Sequence, residues 1–246
     1  MFNLIVGVSV VFVAFGLSSA VSLVDGSTDN RPNVLQSNSS AYGIPYAEWL
    51  GKWWSWWLSI PNSEHPGVDY DPEKCSSNQA GNVWMLPDVV AKGDAPYTKV
   101  EFSCKVPEGK AILFPISTGS CWLNTPEFDH INDKVSPRPD VDAELRNCAV
   151  LPQDKTEIFY VNVDGVDVKN QLVRATTQFY NVTSPDEPVT DIFAGTKSGT
   201  SRAIADGYFL FLQPLSQGEH LIEFSVEDDI SGNKYAREGS YKVSVE

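Results

Sequence analysis

Tryptophan is concentrated in one short segment of the chain, and this marks the segment as a candidate binding surface. Five of the 7 tryptophans lie between Trp49 and Trp57. An indole ring has two apolar faces and a single N–H donor, so it suits half-wet sites where a sugar ring or a partner protein packs against it. The predicted ligand-binding residues are Trp53, Trp54, Trp57, Trp84 and Trp122.

The same tryptophans also fit a purely structural role. An aromatic helix face laid on a sheet buries about 150–250 Å² per ring. Trp54 lies outside the main aromatic face of such a helix. Its ring is therefore not needed to cover the sheet and is a candidate for contact with a ligand or a partner. Insertion into a membrane interface is a third interpretation, but Lys52 is the single basic residue of the segment, and this argues against it.

Acidic residues alternate just before the first cysteine, in the segment VDYDPEKC. Carboxylate oxygens at this spacing suit Ca²⁺, so Asp69, Asp71 and Glu73 form a candidate calcium site. The match to an EF-hand loop fails, because Lys74 stands at its sixth position and Ala80 at its twelfth. A solvated acidic turn is the alternative, and no other cofactor is predicted.

The chain has 4 cysteines, and their even number predicts two disulfide bridges. We favour Cys75–Cys104 and Cys121–Cys148, although four cysteines allow three pairings. Zinc is the alternative, but the sequence has no C-x-x-C pair and no histidine at ligand spacing. Cys121 also stands in GSCW, which resembles the nucleophile segment of papain-like proteases, with His220 as a distant base. The residues flanking GSCW differ from that family.

Other patterns typical of enzymes are few. The chain has 3 histidines, well separated in sequence, and it has no G-x-S-x-G, H-E-x-x-H, P-loop or dinucleotide motif. Glycoside hydrolysis needs only two carboxylates a few ångströms apart, and the acids nearest to aromatic residues are Glu48, Asp69 and Glu127. We therefore expect a protein without catalytic residues, with a polysaccharide hydrolase as the alternative.

The charge of the chain limits its partners. Its 32 acidic and 18 basic residues give a formal net charge of −14. This excess of acid opposes binding to nucleic acid and to anionic lipid headgroups. Neutral glycans, surface proteins and cations stay as candidate partners.

The N-terminal segment predicts export. An apolar run over residues 4–17 precedes the small residues SSA, which is the pattern of a signal peptide cleaved after residues 1–20. The first basic residue is Arg31. If cleavage failed, residues 4–23 are about long enough to anchor the chain in a membrane. Residues 21–41 lack hydrophobic periodicity and are predicted to form a flexible tether.

Two further features agree with export. Paired cysteines are typical of an oxidising compartment, so the protein is expected to be extracellular or periplasmic. Asn38 and Asn181 each begin an Asn-x-Ser/Thr sequon, and both are predicted N-glycosylation sites.

Two kinds of periodicity in the sequence predict the helix and the strands that carry these residues. From Tyr46 to Ile60 aromatic residues recur at helical spacing between Pro45 and Pro61, which predicts one tryptophan-rich helix. Downstream, segments rich in β-branched and aromatic residues are separated by turn residues, which predicts strands. These segments are NVWML (82–86), KVEFSC (99–104), KAILFPI (110–116), EIFYVNV (157–163), QLVRATTQFYNV (171–182), YFLFLQ (208–213), HLIEFSV (220–226) and SYKVSV (240–245).

Short strands without alternating helices predict a mainly β fold, an antiparallel β-sandwich in a single domain over residues 42–246. The segment ADGYFLFLQPLSQGEHLIEFSV, with YKVSV after it, resembles the last strands of an immunoglobulin-like sandwich. Residues 118–153 hold two cysteines and few apolar residues. They predict a long loop region pinned by a disulfide, and such loops are where β proteins commonly build their sites.

Four segments together resemble a family of exported microbial proteins whose activity is uncharacterised. They are YGIPYAEWLGKWWSWWLSIP, GNVWML, CKVPEGKAILFPI and ADGYFLFLQPLSQGEH. The resemblance covers nearly all of residues 42–245. It implies export, and it brings no activity, cofactor or site residue with it.

Together these features predict a secreted or cell-surface binding protein that recognises neutral carbohydrate through exposed aromatic residues. Two alternatives stay open. One is a secreted hydrolase acting on polysaccharide through a carboxylate pair, and the other is a structural subunit that docks through its tryptophan-rich helix to a membrane protein or a surface layer. The positions of the rings separate them, because a sugar site needs rings in a groove and a hydrolase needs two facing acids beside it.

Overall fold

Strands are the main regular structure of the described residues, and they form two five-stranded sheets and one two-stranded ribbon. The computed structural model describes residues 32–35, 40–90, 95–230 and 232–246. The predicted signal peptide, most of the predicted tether and the sequon at Asn38 lie outside these residues. Within the described part of the chain, no helix has both the length and the apolar character needed to cross a membrane.

The elements follow one another in this order. The strands are β1 (Ser40–Ala41), β2 (Ile44–Pro45), β3 (Val83–Met85), β4 (Tyr97–Val106), β5 (Ala111–Trp122), β6 (Glu157–Val163), β7 (Val166–Asp167), β8 (Val173–Thr176), β9 (Tyr180–Ser184), β10 (Gly199–Leu212), β11 (Gly218–Ile230) and β12 (Asn233–Val245). The α-helices are α1 (Tyr46–Ser59), α2 (Pro66–Asp69) and α3 (Pro139–Gln153). Single 3₁₀ turns cover Asn62–Glu64, Pro72–Ser76, Pro126–Phe128 and Lys169–Gln171.

Both large sheets are mixed. The first has the order β3-β5-β10-β8, with β9 also paired to β10, and the second has the order β4-β12-β11-β6-β7. Most neighbours are antiparallel, as predicted, but β3 runs parallel to β5 and β4 runs parallel to β12. The wholly antiparallel prediction is therefore wrong at these two pairs. Parallel strands are not joined by a tight turn, so no local pattern in the sequence predicts these two pairs.

The two large sheets share one apolar core. Phe114 of β5 packs edge-on against Phe224 of β11 and Tyr241 of β12, with ring centroids 5.5 and 4.9 Å apart. On β4 every second residue is buried, which is the two-residue period of a strand with one solvated face. The prediction of a mainly β fold is confirmed.

Helix α1 covers the other face of the first sheet. It lies within the segment where the sequence predicts a helix, and Pro45 precedes its first turn. Tyr46 stacks on Phe209 with ring centroids 4.7 Å apart, and Trp49 packs edge-on against Phe211 at 5.5 Å. Since both faces of the first sheet are covered, the first half of β5 is a continuous buried run instead of an alternating one.

Helix α3 occupies the region where the sequence predicts a loop. Val141, Leu145 and Ala149 are buried at a spacing of four residues, so one stripe of the helix packs on the first sheet. Pro139 begins the first turn, where its missing N–H has no structural cost. Only a narrow stripe is apolar, and this explains why the helical period is weak in the sequence.

Two disulfides join the elements in the predicted pairing. Cys75, in a 3₁₀ turn, is bonded to Cys104 of β4, and Cys121 of β5 is bonded to Cys148 of α3. The predicted connectivity is confirmed. Disulfides of this kind are typical of an oxidising, extracellular environment.

The close contact between Gly239 of β12 and Phe224 of the paired strand β11 gives a test of the core packing. A Cβ atom at Gly239 would lie 2.1 Å from Cε1 of Phe224, within the buried core. We expect Gly239→Ala to lower the free energy of unfolding by about 1–3 kcal/mol, because the ring must move in a filled core. Chemical denaturation of both proteins measures the difference.

The matched control is Gly51→Ala on α1. There a Cβ atom would meet Tyr180 at 3.5 Å, an ordinary contact, so no loss is expected. Equal losses in the two variants would contradict the packing described for Gly239.

Candidate functional site

A cavity of about 360 Å³ opens beside the first sheet and α3. Strand β5 lines it with Ser117 and Thr118, and α3 lines it with Gln153. Strands β11 and β12 contribute Asp228 and Arg237. Its size lies within the range of about 300–1,000 Å³ typical of small-molecule sites.

Arg237 is the centre of the polar side of this cavity. Its side chain is buried, and its Nε donates to Oδ2 of Asp228 at 2.9 Å. Its Nη1 donates to the carbonyl of Val89 at 2.7 Å and, more weakly, to Oδ1 of Asp88 at 3.3 Å. A buried cation is tolerated only when it is paired and hydrogen-bonded in this way.

Asp228 links the second sheet to the first sheet. Its Oδ1 accepts hydrogen bonds from the Ser117 hydroxyl at 2.6 Å and from the Thr156 hydroxyl at 2.9 Å. Oε1 of Gln153 lies 3.0 Å from the same Ser117 oxygen. With Arg237 on its other oxygen, Asp228 has its acceptor positions well filled.

The buried carboxyl group of Asp88 has a pKa well above its ordinary value. Burial raises its pKa to about 7; the charge of Arg237 opposes this shift, and the neighbouring Asp228 adds to it. Near neutral pH Asp88 therefore exists in both forms. Asp228 balances Arg237, so the polar side of the cavity carries a charge between zero and −1.

The aromatic side of the cavity comes from α1. Trp54 and Trp57 line it, with 4% and 0% of their surfaces exposed, and Phe193 joins them. Within the described part of the chain, the two indole N–H groups have no hydrogen-bond partner, and neither has the Thr118 hydroxyl beside them. An unpaired buried polar group costs roughly 1–3 kcal/mol. Such groups at a cavity wall favour an occupant that accepts hydrogen bonds.

The other predicted binding tryptophans lie elsewhere. Trp53 donates to the carbonyl of Leu86 at 2.8 Å, and Trp84 belongs to the core between the sheets. Trp122 packs on Phe193 with ring centroids 5.2 Å apart. All 7 tryptophans are buried, so the structure has no exposed tryptophan platform, and only Trp54 and Trp57 of the predicted set line the cavity.

Two of the three predicted calcium ligands have other partners. Asp69 forms an ion pair with Lys74 at 2.5 Å, and Asp71 accepts a hydrogen bond from the backbone N–H of Glu73 at 3.0 Å. Across the described residues, no three histidine, cysteine or acidic side chains are grouped so that they could hold a metal ion.

The acids that meet at the cavity were not predicted. Glu48 and Glu127 are exposed and do not line it, whereas Asp88 and Asp228 do. These two aspartates are far apart in sequence, so their meeting depends on the sheet topology. One local feature of the sequence could have indicated Asp88, because it stands inside the apolar segment MLPDVV. A charged residue in such a segment is buried only when it is paired.

His220, considered as a distant base, belongs to a group formed with the β6–β7 turn and the connection between β10 and β11. Its Nδ1 lies 2.7 Å from Oδ2 of Asp164, and its Nε2 lies 2.8 Å from the carbonyl oxygen of Ser216 and 3.5 Å from its hydroxyl. A carbonyl oxygen only accepts, so Nε2 must carry a proton and cannot take one from Ser216. Cys121 is bonded to Cys148, and no thiol nucleophile exists at GSCW.

Comparison with known proteins adds little to this geometry. No protein-family model matches the chain, and no curated protein matches it. Among solved structures, a chain from the complex of PbICP-C with falcipain-2 matches at 11% sequence identity. The match covers 68% of this chain and 100% of that chain, with a TM-score of 0.22. This likeness is too low to support a conclusion on fold, partner or function.

The His220 group predicts a pH-dependent contribution to stability. Burial lowers the pKa of His220, but the Asp164 carboxylate and the Ser216 carbonyl together raise it by more, so it lies above the ordinary value of 6.5. The added stability is fully present below pH 6.5 and is lost as the pH rises through the folded-state pKa. We expect Asp164→Asn to remove this part of the pH dependence, measured by denaturant unfolding across that range.

Asp186→Asn serves as the control for this variant, because Asp186 is exposed and makes no ion pair with a described residue. An unchanged pH dependence in Asp164→Asn would show that the pair is not stabilising.

Proposed function

We propose that the chain is an exported binding protein whose cavity holds a small neutral carbohydrate. One observation carries the proposal: Trp54 and Trp57, whose indole N–H groups are unpaired within the described residues, line the same cavity as the buried carboxylates of Asp88 and Asp228. A sugar hydroxyl both accepts and donates, so it can accept from Trp54 or Trp57 and donate to Asp88. The apolar faces of a sugar ring can pack on the indole rings.

The electrostatics of the cavity support a neutral ligand. Its polar side carries no net positive charge, and the whole chain has a formal charge of −14. An anionic ligand would lose its hydration without gaining a cation to pair with, since Arg237 is already paired with two aspartates. A neutral ligand has no such cost.

Export and an immunoglobulin-like architecture belong to the same proposal. The two disulfides and the apolar N-terminal segment support passage into an oxidising compartment. Two five-stranded sheets around one apolar core support a sandwich. Docking to a surface protein through α1 has less support, because all of its tryptophan rings are buried.

Removing one indole N–H tests the site. We expect Trp54→Phe to weaken sugar binding by about tenfold, the cost of one hydrogen bond, while keeping an aromatic ring in the wall. Calorimetric titration of the purified mature chain with a panel of mono- and disaccharides measures this.

Trp84→Phe is a matched control for this change. Trp84 is also buried with an unpaired N–H, but it lies in the core between the sheets and does not line the cavity. Its variant should bind like the parent. If the parent binds no sugar, or if the two variants lose affinity equally, the cavity is not a sugar site.

A glycoside hydrolase is the second candidate function, and one observation favours it. Asp88 has its pKa raised to about 7 by burial, as a general acid requires, and a second carboxylate lies in the same cavity. However, the oxygens of Asp228 are held by Arg237, Ser117 and Thr156. A carboxylate bound in this way is poorly placed to attack a sugar or to activate water, so binding is favoured over hydrolysis.

Chromogenic aryl glycosides separate the two functions. We expect no release of the aryl group by the purified chain, because Asp228 is held by its three partners. Release that falls above pH 7 in the parent and is absent in Asp88→Asn would establish hydrolysis instead.

A further inference from the structure

The polar side of the cavity holds two carboxyl groups and one cation. Asp88, Asp228 and Arg237 are buried, and all three line the cavity. One guanidinium balances one carboxylate, so two ionised carboxylates would leave a net negative charge in buried surroundings. Such a charge is costly, and a carboxyl group in this situation takes up a proton more readily than in water.

The hydrogen bonds decide which of the two carboxyl groups takes up the proton. Oδ2 of Asp228 lies 2.9 Å from Nε and 2.7 Å from Nη2 of Arg237, and its Oδ1 accepts from two side-chain hydroxyls. Asp88 has a longer contact of 3.3 Å with Nη1 of Arg237 and a hydrogen bond with the backbone of Val89. Hydrogen bonds to the ionised form stabilise it. Asp228 therefore keeps its charge, and the proton goes to Asp88.

Other groups near Asp88 do not compete for this proton. Tyr70, at the end of α2, and Tyr241 of β12 donate their hydroxyls to backbone carbonyls of the segment that contains Asp88. Burial raises the pKa of both phenols, that of Tyr70 to about 12, so both stay neutral near pH 7. The cavity residues of α1, β5 and α3 carry no charge, and Tyr235 of β12 adds a third phenol.

We propose that a sugar entering the cavity displaces a proton from Asp88, so that sugar binding strengthens as the pH rises through neutrality. This inference rests on the proposed function. The O–H bond of the Asp88 carboxyl group breaks and its proton passes to the solvent, while a sugar hydroxyl keeps its own proton and donates it to the carboxylate. An ionised acceptor forms a stronger hydrogen bond than a neutral one, so the sugar and the proton compete for Asp88.

The competition fixes the direction and the range of the pH dependence. Burial raises the pKa of Asp88 to about 7. Because the sugar prefers the ionised form, its binding lowers this pKa, and by linkage the affinity rises with pH until Asp88 is ionised without the sugar. The cavity thus captures its ligand in neutral or alkaline medium and releases it in acid.

Calorimetric titration across pH tests the linkage. The parent is titrated with glucose, galactose, N-acetylglucosamine and cellobiose between about pH 5.5 and 8.5, in two buffers that differ in ionisation enthalpy. We expect the affinity to rise by about tenfold over this range, the difference between a charge-assisted and a neutral hydrogen bond. About half a proton should be released per sugar near the midpoint of the rise.

Asp88→Asn is the test variant, and Asp186→Asn is its control. Asparagine does not ionise, but its side-chain oxygen still accepts a hydrogen bond from Arg237, so this variant should bind sugar equally at every pH and release no proton. Asp186 is exposed and does not line the cavity, so its variant should behave like the parent.

Two outcomes of these titrations overturn the inference alone: sugar binding by the parent that does not change with pH, or a pH dependence that persists in Asp88→Asn. Absence of binding to every sugar at every pH overturns the proposed function as well.

NMR of the side-chain carboxyl carbons gives a readout that needs no sugar. In the parent labelled with carbon-13, we expect one aspartate carboxyl carbon to titrate near neutral pH, and its signal should be missing in Asp88→Asn. If every aspartate carboxyl carbon of the parent titrates below about pH 5.5, Asp88 has no proton to release near neutrality and the inference is wrong.

Discussion

The buried guanidinium of Arg237 is the constraint on which the candidate site depends. A charge inside a protein must be paired, and breaking such a pair costs about 3–5 kcal/mol. Here the partners come from two places: Asp228 from the adjacent strand β11, and Asp88 from the segment after β3. Because Asp228 also binds Ser117 of the first sheet, the two sheets are joined at this end by polar contacts instead of apolar packing. The cavity lies beside this polar network, and Asp88, Asp228 and Arg237 line it.

The tryptophans of α1 divide into two groups with different roles. The indole N–H groups of Trp49, Trp53 and Trp56 donate to backbone carbonyls of surrounding segments, so these rings attach the helix to the rest of the fold. Trp54 and Trp57 have no such bond within the described residues and line the cavity instead. One helix therefore serves both stability and the candidate site. Helical periodicity alone does not separate the two groups, because both are buried.

Local patterns in the sequence predicted the elements better than their arrangement. The helix over Tyr46–Ser59 and most strands follow from periodicity. The even number of cysteines predicts two disulfides, and the structure has the pairing that was favoured among the three possible ones. The segment 171–182 was predicted as one strand, but it forms two, because Thr177 leaves the strand and its hydroxyl accepts from the N–H of Ala205. The parallel pairs and the meeting of Asp88 with Asp228 depend on contacts between distant residues, and no local pattern encodes them.

The parallel pairing of β4 with β12 has a consequence for how the chain acquires its structure. Strand β12 lies between β4 and β11, so β4 has no partner in its sheet until a segment far along the chain has joined it. Pairings between such distant segments must overcome a large loss of chain entropy, and folds that depend on them form slowly. A chain that folds slowly stays unfolded for longer after synthesis, and this would suit the proposed export.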